Sequence, residues 1–133
     1  MIVLDASVLA SLLADDGPSG QAARQVLQDA GDASMPDLAD VETFAVLRKR
    51  WLAKDLSLPR FRAAVADLAD LDLHRYPTLP LLPRALELRA NVTGYDAVYV
   101  ALAEGLGCEL VTADQRLATA SGPRCTIRLL RPA

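Results

Sequence analysis

Four acids stand out by where they fall in the chain: Asp5, Glu42, Asp96 and Asp114. Asp5 closes the apolar run Met1–Leu4, and Asp114 follows Leu110-Val111-Thr112. Both runs read as buried strands, which places both acids at carboxyl ends of strands. In an open parallel sheet, ligands gather beyond those ends. Asp96 lies in the first turn of a helix opening at Thr93-Gly94, and Glu42 lies one to two turns into a helix that follows Pro36. Two like charges ~5 Å apart repel by about 3 kcal/mol at an effective dielectric near 20. None of the four local segments supplies a fixed basic partner. Four carboxylates on one rim therefore need protons or a cation. Oxygen ligands with no His and no Cys suit Mg²⁺ or Mn²⁺, which keep several waters. Such an ion favours phosphodiester hydrolysis, because it lowers the pKa of a bound water and clamps the phosphate.

Each acid also has a plain structural reading. Asp5 and Asp114 can cap the helices they precede. Asp96 can complete a capping box with Thr93, and Glu42 can be an exposed helix acid. Their coincidence at one rim favours a site. On the helix, Leu38, Val41, Ala45 and Leu52 recur at the spacing of a buried stripe. Glu42 falls beside that stripe, whereas Asp40 points away from it.

Bringing such acids to one rim requires strands that alternate with helices. Met1–Leu4, Ala33–Met35, Leu71–Tyr76, Cys108–Thr112 and Thr126–Leu130 read as strands. Asp5–Ala14, Ser19–Asp29, Asp37–Lys54, a segment from Ser57 to about Asp70, a segment after Pro83 and one from Thr93 to about Glu104 read as helices. A short helix follows Asp114. Ser57 reads as an N-cap with Pro59 in the first turn, and Gly31 as a helix terminator. The pattern predicts a parallel sheet with helices on both faces.

The chain has 133 residues, with 14 Lys+Arg against 17 Asp+Glu, a net charge of −3, and 52% hydrophobic residues. That is one domain, residues 1–133, with enough apolar content to exclude disorder. The longest uncharged apolar stretches, Ala6–Ala14 and Ala97–Ala103, fall short of the roughly 20 residues a spanning helix needs. Met1–Leu4 meets Asp5 without a basic leader, so the cytoplasm is the expected location. Cys108 and Cys125 read as two small buried thiols rather than a disulfide framework or metal site.

The motifs resemble those of a known family. Ile2-Val-Leu-Asp5-Ala-Ser7 is similar to the start of a PIN domain. Glu42 followed by Leu47-Arg48-Lys49, then Tyr95-Asp96-Ala97-x-Tyr99-x-Ala101, then Leu110-Val-Thr112-Ala-Asp114 continue the likeness in order over nearly the whole chain. Within that family the sequence looks like a VapC-type toxin of a bacterial toxin–antitoxin pair. The resemblance implies an α/β/α sandwich with a central parallel sheet of four to five strands. It implies a Mg²⁺- or Mn²⁺-dependent endoribonuclease with Asp5, Glu42, Asp96 and Asp114 as its acidic quartet. It carries Ser7 and Thr112 over as supporting hydroxyls. It further implies a homodimer and a VapB-like antitoxin whose C-terminal segment blocks the acidic pocket.

Net negative charge argues against a protein that coats nucleic acid evenly. Six basic residues nevertheless fall between Arg48 and Arg62, including Lys49 and Lys54. They read either as a solvated helix end or as a phosphate-contacting patch beside the acids. Arg116, two residues after Asp114, reads as a carboxylate or phosphate partner or as a surface residue. Trp51 reads mainly as packing, Tyr95 and Tyr99 as a pair flanking Asp96, and His74 as structural. A phosphohydrolase with an Asp nucleophile would want an acid at position 7, which is Ser. A receiver domain would want a late Lys, and none follows Lys54. The alternative outside catalysis is a binding module whose acids hold a basic partner segment.

Overall fold

The computed structural model describes residues 1–132. Five strands, β1 (Ile2–Leu4), β2 (Ala33–Pro36), β3 (His74–Tyr76), β4 (Glu109–Thr112) and β5 (Ile127–Leu129), form one sheet in the order β3-β2-β1-β4-β5. Every pairing is parallel. The central strands β1, β2 and β4 are almost wholly buried, as uninterrupted apolar runs require in a sheet covered on both faces. The edge strands β3 and β5 are more exposed.

The chain steps from β1 to β2 to β3 in one direction, then returns across the sheet to β4. Successive crossovers of one hand, taken in opposite directions, place their helices on opposite faces. Accordingly α1 (Ala6–Ala14) packs on α2 (Pro18–Ala30), α3 (Leu38–Leu52) and α4 (Leu58–Asp70). On the other face α6 (Gly94–Leu106) packs on α5 (Leu82–Glu87) and on β1, β2 and β4. A short α7 (Gln115–Ala118) follows β4. The expected α/β/α layering and five strands are present. No helix among the described residues is long and apolar enough to cross a membrane.

The helix starts follow their side chains. Asp5, Ser57, Thr93 and Asp114 accept backbone N–H groups of Val8, Arg60, Asp96 and Arg116 respectively. Gly31 and Gly107 take positive φ at helix ends, where a side chain would be strained. The Leu71–Tyr76 strand shrinks to His74–Tyr76, because the chain turns through Leu71–Leu73 first.

The stripe on α3 differs from expectation. Val41 is 73% and Leu52 54% exposed, while Ala39, Thr43 and Leu47 are buried. The apolar residues at 41, 44, 51 and 52 lie on the outer face, where Phe44 and Trp51 lean against Phe61 of α4. Periodicity found the helix but chose the wrong face, because small residues make the buried side.

Helices α1 and α2 approach closely at Gly20. A Cβ there would stand 1.7 Å from the Asp15 carbonyl oxygen and 2.8 Å from that of Ser11. Backbone cannot retreat as a side chain does. The variant Gly20→Ala is predicted to lose about 3 kcal/mol of stability, read as a lower urea midpoint with unchanged m-value.

Candidate active site

The strand order reverses between β1 and β4, the point beyond whose carboxyl ends ligands of an open parallel sheet bind. Asp5 is the first residue past β1. Its N–H donates to the Val111 carbonyl (3.2 Å), extending the β1–β4 ladder by one step. Asp5 is only 5% exposed. Two hydroxyls converge on it. Ser7 Oγ donates to Asp5 Oδ1 (2.6 Å), and Thr112 Oγ1 donates to Asp5 Oδ2 in a very short hydrogen bond. Val8 N–H also donates to Oδ1 (3.1 Å).

Each hydroxyl is itself held. Ala113 N–H donates to Ser7 Oγ (3.3 Å), and Asp114 N–H donates to Thr112 Oγ1 (3.0 Å). Two relays therefore tie the Asp5 carboxylate to the turn that carries Asp114. A carboxylate has about four lone-pair sites. Three are occupied here, so one on Oδ2 stays open. Burial pushes the Asp5 carboxyl above its usual range, although the hydroxyl and backbone donors pull the other way.

The other acids gather around this point. Burial raises the Asp96 carboxyl, and the Asp5 and Asp114 charges raise it further, against the pull of Thr93. Burial likewise raises Glu42, with Asp96 and Asp5 adding repulsion. Asp114 is exposed and caps α7 through its Oδ1, which accepts Arg116 N–H (2.9 Å). Among the described residues, no Lys, Arg or His forms an ion pair with any of the four. Asp40, by contrast, is spent on Arg75 of β3 (2.9 Å).

Glu42 Oε1 is buried without a hydrogen-bond partner. So is Tyr99 Oη, on a side chain 1% exposed. The two groups influence each other, yet neither completes a bond of good geometry. Burial and then the Glu42 charge push the Tyr99 phenol well above its usual range. The sequence pairs Tyr99 with Tyr95 on either side of Asp96. The structure splits that pair: Tyr95 is 65% exposed, while Tyr99, one turn beyond Asp96, faces the acids. Its i+3 spacing from Asp96 was the available signal.

The residues fit a hard cation. Buried anionic oxygens without donors are costly unless something positive meets them. No three of the described His, Cys, Asp and Glu side chains stand close enough to chelate one ion directly. The four carboxylates are near enough to repel, Asp96 and Asp5 acting on Glu42 and Asp5 and Asp114 on Asp96, and an ion held by such acids would keep several of its waters.

The basic residues lie elsewhere. Arg48 and Lys49 are exposed on the far half of α3, with Lys49 about 10 Å along the axis from Glu42. Lys54 lies past the helix end with φ 64°. Neighbouring Arg50 borders a cavity with Ala14 and Asp15, at the end of α1 remote from Asp5. The basic run is thus not beside the acids, because α3 carries it away from the rim. Arg116 sits on α7 next to Asp114 with its side chain exposed.

Residues 2–123 match the PIN domain family, and the chain belongs to it. Within that family it is similar to ribonuclease VapC1 of Mycobacterium tuberculosis, with 41% identity over 130 residues and 97% of each chain covered. It is also similar to ribonuclease VapC9 of the same organism, at 40% over 130 residues and 98% of each chain. The crystal structure of VapBC2 from Rickettsia felis, bound to a DNA fragment from their promoter, shares the fold. The TM-score is 0.71 at 12% identity, covering 98% of this chain and 100% of that one.

The repulsion at Glu42 has a stability consequence. With divalent ions removed, Glu42→Gln is predicted to raise unfolding stability by about 0.5–2 kcal/mol. Adding Mg²⁺ or Mn²⁺ stabilises the parent but leaves the variant nearly unmoved. Thermal unfolding in chelator, then with added metal, reads both effects.

Proposed function

We propose that the chain is a Mg²⁺- or Mn²⁺-dependent endoribonuclease, the toxin of a type II toxin–antitoxin pair, acting in the cytoplasm as a homodimer. The observation that carries this reading is a buried Asp5 ringed by Glu42, Asp96 and Asp114 with no protein cation among them. Relatives named ribonuclease VapC, at 40–41% identity over nearly the full chain, support it.

Asp5, Glu42, Asp96 and Asp114 would hold the ion. When bound, it supplies a water of lowered pKa and neutralises charge building on the phosphate. Ser7 and Thr112 fix the Asp5 rotamer and leave one acceptor site on Oδ2 open. Glu42 is the acid the fold satisfies least, since its Oε1 is buried and carries no donor, a deficit the bound ion would relieve. Asp96 lies in the first turn of α6, where the helix N-terminus favours an anion and offsets part of its burial. Asp114 is exposed, and its Oδ1 caps α7. A VapB-like antitoxin would silence the site by offering a basic side chain to the same oxygens.

The deciding experiment is RNA cleavage by purified protein in Mg²⁺ or Mn²⁺. Cleavage stops with EDTA, returns with excess metal, and falls roughly 100-fold or more in Asp5→Asn. A protein that cuts no cellular RNA yet binds a basic peptide would instead be the binding module.

Arg48, Lys49, Lys54 and Arg116 are proposed to hold RNA phosphates away from the scissile bond. Replacing Lys49 and Lys54 with Ala should weaken RNA binding and lower the slope of log affinity against log salt by about 1.4. An unchanged slope assigns these lysines to solvent.

A further inference from the structure

At the sheet edge opposite the acids, β4 and β5 bring two thiols together. Their parallel register pairs Leu110 with Ile127 and Thr112 with Leu129. The same offset, carried two residues back past the last paired positions, matches Cys108 just ahead of β4 with Cys125 in the bend before β5. Leu110 N–H donates to the Thr126 carbonyl (3.0 Å), so the strands are still joined there. The two thiols are close enough for the Cys108 charge to bear on Cys125. Neighbouring strands run about 4.8 Å apart, within the roughly 4.4–6.8 Å Cα separation that a disulfide spans.

Both thiols are free and half-buried rather than sealed in the core as the sequence suggested. They line one cavity of about 670 Å³ with Met1, Ala103, Glu104 and Arg124. A small thiol reagent has room to reach them. Burial pushes both thiols above their usual range. The thiolate fraction at neutral pH is small, and exchange runs over minutes to hours.

We propose that Cys108 and Cys125 are a reversible dithiol–disulfide pair that closes a covalent loop around the segment carrying Asp114. The co-reactant is a low-molecular-weight disulfide such as oxidised glutathione. One protein thiolate attacks it, forming a mixed disulfide and expelling one glutathione thiolate. The second protein thiolate then attacks the protein sulfur of that mixed disulfide and expels the second. Two protein thiols lose two protons and two electrons, and the glutathione disulfide is reduced by the same two electrons. The closed loop spans residues 109–124 and contains Thr112, Asp114 and α7. Oxidation thus restrains the turn whose N–H groups hold Ser7 and Thr112 against Asp5.

The test uses the full chain, reduced, desalted and incubated with oxidised glutathione. Intact mass should fall by two hydrogens with no retained glutathione, and a peptide map should join the Cys108 and Cys125 fragments within one monomer. The oxidised protein should melt roughly 5–10 °C higher than the reduced one and return to the reduced value with dithiothreitol. Cys125→Ser should instead keep one glutathione at Cys108. Two glutathione adducts on the parent, a link only between chains, or two unmodified thiols after prolonged exposure would each overturn the proposal. These readouts need no RNA, so their failure leaves the nuclease reading standing, and the reverse holds.

Discussion

An anion buried at the centre of the sheet is the constraint around which the rest is arranged. Asp5 is nearly inaccessible, and burying a carboxylate costs several kcal/mol unless donors replace its water. Three donors do so: Ser7 and Thr112 hydroxyls and the Val8 N–H. Thr112 arrives only because β1 and β4 are adjacent and in register, with Val3 opposite Leu110 and Leu4 opposite Val111. One step beyond the last of these pairs, Asp5 meets Thr112. Ser7 and Val8 arrive because Asp5 is also the N-cap of α1, so a single side chain starts a helix and anchors the site. The turn at 113–114 supplies the N–H groups that orient both hydroxyls. Loss of either hydroxyl would leave a buried oxygen short of a donor.

The outer ring of acids obeys a different logic. Asp5 is satisfied by the fold, whereas Glu42 is left with a bare oxygen beside a bare phenol. A structure selected for stability alone would put a cation or an amide there. Asp40, two residues away on the same helix, shows that the chain does pair acids when nothing else needs them. Unpaired buried acids are stored repulsion, and such sites trade folding stability for binding. The same accounting explains why the quartet is spread rather than pre-assembled. Without a cation, tighter convergence would raise the repulsion, and an ion that keeps its waters does not demand it.

Asp5 and Asp114 were legible in the sequence because apolar runs mark strands, and ligands lie beyond strand ends. Asp96 was legible because Thr93 fixes where its helix starts. Glu42 was reached through a stripe that turned out to face outward. Its neighbours at 39, 43 and 47 are Ala, Thr and Leu, a weak apolar signal, while the outer face carries Val41, Phe44, Trp51 and Leu52. Hydrophobicity marks what avoids water and does not say whether core or partner supplies the cover. Contacts of long sequence separation were out of reach. The Thr112–Asp5 bond joins residues 107 apart, and only the strand register brings them together. Cys108 and Cys125 look equally unrelated along the chain for the same reason. The basic run was legible as charge but not as position, because the direction of α3 away from the rim follows from the sheet rather than from local pattern.

On the proposed function, catalysis and inhibition draw on one electrostatic deficit. A divalent ion and a basic side chain from an antitoxin would each relieve the repulsion felt by Glu42 and Asp96. Two ligands that neutralise the same charges bind competitively, and linkage makes the competition reciprocal: each lowers the apparent affinity of the other by the same factor. Asp5 changes least in either state, because its donors come from the protein. The adjustable part is the outer ring, where Asp114 is exposed and Glu42 has an oxygen without a donor. An inhibitor built on this chemistry has no need to deform the sheet. It has only to place one cation where the fold placed none.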